Sequence, residues 1–113
     1  MEKSFRQNQY RQEMQQAIAA RADGNEGRAR VCARRAASIA IREYLDSRKI
    51  PYISANAYDL ISTLLGLESA PERAREIAAH LLVRVSEDFT LPDPLDLLAE
   101  TQDLAEILEF EAI

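Results

Sequence analysis

Only seven of the 113 residues are glycine or proline. A turn-rich sandwich or barrel needs such residues at frequent, regular intervals, so that architecture is disfavoured. Gly24, Gly27, Pro51, Gly66, Pro71 and Pro94 instead divide the chain into five segments. Alanine, leucine, glutamate and arginine dominate these segments, and all four lose little on entering a helix. The expected fold is therefore all-α: an up-and-down helical bundle of five helices, four of them principal, forming one domain over residues 1–113.

The first helix is expected from an N-cap at Ser4 to Asp23, with Gly24 as its stop. Tyr10, Met14, Ala17 and Ile18 share one face of it. The second runs from about Gly27 to Arg48. Ala29, Ala33, Ala36 and Ala40 give it a seam of small residues that allows a neighbouring helix to approach closely. Arg28, Arg35 and Arg42 recur every seven residues and form an exposed stripe, with Arg30 and Arg34 on the opposite flank. Pro51 breaks the pattern. Ser54 or Asn56 then caps a third helix whose apolar residues are Tyr58, Leu60, Ile61, Leu64 and Leu65, ending at Gly66. Ser69-Ala70-Pro71-Glu72 is a start signal for a fourth helix running to about Val85. After a loop over Ser86–Asp93, Asp93-Pro94 opens the fifth, with Leu97, Leu98, Leu104, Ile107 and Leu108 facing inward.

Charge is split between the halves. Residues 1–50 carry 11 Lys/Arg against 6 Asp/Glu, whereas residues 51–113 carry 3 against 13. Such polarity either steers one face toward a phosphate-bearing partner or is cancelled where helices from the two halves lie side by side. The single cysteine, Cys32, excludes an intrachain disulfide, suits a reducing cytoplasmic compartment and reads as a small buried hydrophobe. With His80 the only histidine, a zinc site of the usual kind cannot be built within one chain, so neither metal nor cofactor is expected. No apolar run reaches the ~20 residues of a membrane span, and the polar, Gln-rich start does not read as a signal peptide. Tyr44 and Tyr58 read as core residues before base-stacking platforms. The stripe of Arg28, Arg35 and Arg42, joined by Arg84, is the surface best suited to RNA.

A first helix ending at Gly24-Asn25-Glu26 is followed by the Ala-rich Ala33-Arg34-Arg35-Ala36-Ala37-Ser38-Ile39-Ala40. A short helix then opens at Asn56-Ala57-Tyr58-Asp59-Leu60, and Arg75-Glu76-Ile77-Ala78-Ala79-His80 precedes a proline-marked loop and a closing helix. Over roughly residues 10–110 this order resembles the HEPN domain, whose signature is an arginine four to six residues before a histidine. The resemblance implies a metal-independent ribonuclease, often the toxin of a pair with a nucleotidyltransferase-like antitoxin. His80 would move the 2′-hydroxyl proton, and Arg75 or Arg73 would clamp the phosphate. The alternative is a non-catalytic interaction module that keeps the fold and oligomerises.

Helical geometry separates the two arginines. At ~100° per residue, Arg75 lies about 140° around the helix from His80, whereas Arg73 lies about 20° away and Arg84 about 40°. Arg73–His80–Arg84 is thus the expected cluster within one chain, and Arg75 would act across a subunit boundary. Ala79 and Val83 project opposite the core stripe of Ala74, Ile77, Ala78, Leu81 and Val85. A homodimer with the fourth helix in or beside its interface is expected on that account.

Overall fold

Asn25 shows how local chemistry sets the first boundary: its side chain accepts from the Arg28 amide at 3.1 Å, while Gly24 turns the chain with φ +80°. The computed structural model describes residues 2–83 and 95–110. The helices are α1 Glu2–Ala22, α2 Glu26–Ser47, α3 Ala57–Leu65, α4 Glu72–Leu81 and α5 Leu97–Ile107. No strand occurs among the described residues, and none of the helices there is long and apolar enough to cross a membrane.

The antiparallel pair α1–α2 makes the largest helix contact. Arg6, early in α1, reaches Glu43 at 3.0 Å and Asp46 at 2.8 Å near the end of α2. At the other end Arg21 grips Glu26 at 2.7 Å and the α5 cap residue Asp96 at 2.9 Å. Between these clasps Ala29, Ala33, Ala36 and Ala40, the expected seam, are all buried, and so is Ala17 of α1. Cys32 and Tyr44 are buried beside it, also as expected.

The third wall is α5. Its buried Thr101 donates to Leu97 O at 2.7 Å and lies 3.5 Å from Ala33 O on α2. Phe110 packs against Tyr10 with ring centroids 5.2 Å apart. Burial, with Glu106 adding to it, pushes the Tyr10 phenol up to about 12 from its ordinary 10.0. Between those values the unfolded chain ionises and the folded one does not, so stability falls as pH rises through that window. Thermal melts at about pH 9 and about pH 11 should show that loss, and Tyr10→Phe should reduce it. An equal loss in the variant would refute the assignment.

Several boundaries differ from expectation. Helix α1 begins at Glu2, so Ser4 lies inside it. The cap of α3 is as expected: of Ser54 and Asn56, Asn56 serves. Helix α4 takes Pro71 rather than Ser69 as its cap, without a side-chain hydrogen bond, and ends at Leu81 rather than Val85. Asp96 caps α5, and the expected opener Asp93-Pro94 lies outside the described residues, as does Val85. Two helices of 21 and 22 residues dominate, and the other three have 9 to 11. Strict alternation also fails. Helix α5 meets α2 at Ala33–Thr101 and, through Arg21, near Glu26–Asp96, so it runs in the same sense as α2. The connection over residues 48–56 is long enough to turn the chain without forcing an antiparallel neighbour.

Side-chain expectations shift with these boundaries. Ile18 and Tyr58 are 53% and 65% exposed, not core. Arg30 is buried, although its spacing suggested a surface flank.

Candidate functional site

The core stripe of α4, Ala74, Ile77, Ala78 and Leu81, is fully buried. That packing fixes which way its polar residues turn. Arg73 and His80 emerge on the flank facing α5, where Glu100 and Asp103 stand one turn apart. His80 Nδ1 lies 2.7 Å from Glu100 Oε1. Arg73 Nη2 lies 4.0 Å from the other oxygen of Glu100 and 3.9 Å from Asp103 Oδ2, and its Nη1 contacts Glu76. An ionised carboxylate only accepts, so the Nδ1 facing it carries the proton and Nε2 of a neutral ring remains an acceptor. Both His80 and Glu100 are half-buried.

The cluster is acidic on balance, with Glu76, Glu100 and Asp103 around one guanidinium and one imidazole. Arg75 is elsewhere. Its Nε donates to Leu65 O at 3.0 Å and ties α4 to the end of α3. The two arginines separated by helical angle thus serve different neighbours. Glu100 and Asp103 were not singled out from sequence, because nothing in the spacing of α5 says which helix its polar flank meets.

A second feature lies on the α2 side. Val31, Arg34, Arg35, Tyr58, Ile61 and Leu82 line a groove of about 510 Å³ between α2, α3 and the end of α4. Arg34 donates to Leu81 O at 2.7 Å and Val83 O at 3.3 Å. Arg28, Arg35 and Arg42 are all exposed. Arg42 donates to the Tyr52 hydroxyl at 3.1 Å, which in turn donates to Asp46 at 2.8 Å. Among the described residues no carboxylate lies within 4.0 Å of Arg28 or Arg35. Arg84 lies outside the described residues.

Of the ion pairs among the described residues, only Arg21–Asp96 joins the basic first half to the acidic second. Among the described residues the direct ion pairs therefore form mostly within each half. The same residues contain no cluster of three or more histidine, cysteine, aspartate or glutamate side chains placed to hold a metal. No protein-family model matches this chain, and neither a curated protein nor a solved structure matches it.

Proposed function

We propose that this chain is a HEPN-like helical interaction module that binds a partner macromolecule and does not cleave RNA. The observation behind this reading is that the signature side chains are occupied within the chain. Arg75 holds α3, while Arg73 and His80 hold α5 through Glu100. A phosphodiester entering beside His80 would meet Glu76, Glu100 and Asp103, whose combined charge repels it. Removing the shared acceptor in Glu100→Ala should cost about 1–2 kcal/mol in urea denaturation, because it frees one end of both contacts.

A second reading rests on one contact. The His80–Glu100 pair orients the imidazole and leaves Nε2 without a partner among the described residues, so that it can take a proton as a 2′-hydroxyl base must. In that reading the chain is a metal-independent ribonuclease, a homodimer bringing Arg75 across a shared cleft or a toxin restrained by a nucleotidyltransferase-like protein. Incubating single-stranded RNA with the protein in EDTA separates the two. We expect no cleavage that depends on His80. Cleavage abolished by His80→Ala with an unchanged helical spectrum would establish the ribonuclease and overturn the module.

A further inference from the structure

We infer that the groove between α2, α3 and the end of α4 docks an acidic amphipathic helix of another protein. The inference rests on the interaction-module reading and names its partner class. The floor and walls are apolar: Ile61 is fully buried beneath the groove, while Val31 and Tyr58 at its edges are 43% and 65% exposed. Apolar side chains held open in this way are what a helix presenting a hydrophobic stripe would cover.

Charge selects among such helices. Among the described residues the groove is lined by two arginines and no carboxylate. Arg34 is committed to the carbonyls of Leu81 and Val83. Arg35 is exposed and has no acidic partner among the described residues, and Arg28 continues the same stripe outward. Seven residues apart on α2, Arg28 and Arg35 stand roughly 10.5 Å apart along the axis. A helix lying beside α2 presents carboxylates at that interval when it carries Asp or Glu at positions i and i+7. Its leucine-type stripe then covers Val31, Tyr58 and Leu82.

An RNA strand fits the groove less well. Arg42 is engaged with Tyr52, so among the described residues the stripe keeps Arg28 and Arg35 to meet phosphates, and affinity for nucleic acid grows with the number of phosphates neutralised. Among the described residues Tyr58 is the one aromatic ring in the lining, and Ile61 and Leu82 offer a phosphate backbone nothing.

Selection against the purified protein tests the inference, using a displayed library of ~18-residue helices with a fixed leucine stripe and all other positions random. The expected winners carry net negative charge with acidic residues seven apart. They should bind roughly tenfold more weakly to Arg35→Glu and to Val31→Asp, while Gln12→Ala, at an exposed position of α1, leaves binding unchanged. Circular dichroism of each variant guards against loss of fold, and Tyr58→Ala, at an exposed position, supplies an independent arm with the same expected loss. Winners that are neutral or basic, or binding indifferent to Arg35→Glu and Tyr58→Ala, would overturn the inference. So would tighter binding of a single-stranded RNA oligomer, or self-association in sedimentation that Arg35→Glu abolishes. His80-dependent RNA cleavage would instead refute the function proposed above and leave these peptide results to judge the groove by themselves.

Discussion

Ala33→Leu is expected to be the most damaging single substitution in the helix seam, lowering stability by about 3 kcal/mol or more. Ala33 is fully buried, and its carbonyl oxygen lies 3.5 Å from the Thr101 hydroxyl. Helices α1, α2 and α5 all draw close around small side chains at this level: Ala17, Ala29, Ala33 and Ala36 have no measurable exposure. A leucine has no free volume to enter. Either α1 or α5 must move outward, which loosens the neighbouring contacts as well. For a domain of this size each kcal/mol corresponds to roughly 4–8 °C, so the melting temperature should fall by more than about 12 °C. Ala19→Leu, on the exposed face of α1, is the control and should change stability by less than about 0.5 kcal/mol. Similar melting temperatures for the two variants would mean that the seam is not close-packed.

Much of this framework was legible because it depends on signals confined to one segment. Gly24 and Gly66 stop helices, Asn56 starts one, and alanines spaced three and four residues apart mark the face of α2 that meets neighbours. Where one helix dictates the fate of another, that reading fails. The apolar stripe of α4 reads on to Val85, yet the helix ends at Leu81, where Arg34 of α2 takes the Leu81 carbonyl and that of Val83 just beyond. Tyr58 sits at the right interval for the apolar face of α3 but beyond the reach of any covering helix, and it stays exposed. Ile18 does the same on α1. At the candidate site, the angular argument placed Arg73 beside His80 and Arg75 away from it. The group that joins Arg73 to His80, Glu100, comes from α5, and no periodicity within α4 could name it.

Arg34→Met is expected to be the second most damaging change, costing about 2–3 kcal/mol. The guanidinium is half-buried and its fork spans two carbonyls, 2.7 Å from Leu81 O and 3.3 Å from Val83 O. Methionine keeps the apolar stem but leaves both oxygens without that donor, and it removes a cation from the negative end of the α4 dipole. Arg34→Lys should recover only part of the loss, since an ammonium cannot reproduce the planar fork. Burial, and then the charge of Arg30, push the Arg34 guanidinium below its ordinary value. The protein therefore keeps this cation at some cost. Arg30 is the opposite case. It is buried one turn earlier, and its Nε has no hydrogen-bond partner among the described residues. Arg30→Met removes an unpartnered Nε and a repulsion on Arg34 but also an attraction to Glu26, so it should change stability by less than about 1 kcal/mol in either direction. Urea denaturation of the three variants gives the order Arg30→Met, Arg34→Lys, Arg34→Met from most to least stable. A greater loss in Arg30→Met than in Arg34→Met would show that Arg34 does not hold the end of α4. Leu82 lines the docking groove immediately beyond that end, so losing the Arg34 bonds should also blur the groove wall. Faster amide exchange at Leu82 and Val83 in Arg34→Met, with the α1–α2 amides unchanged, is the local signature expected.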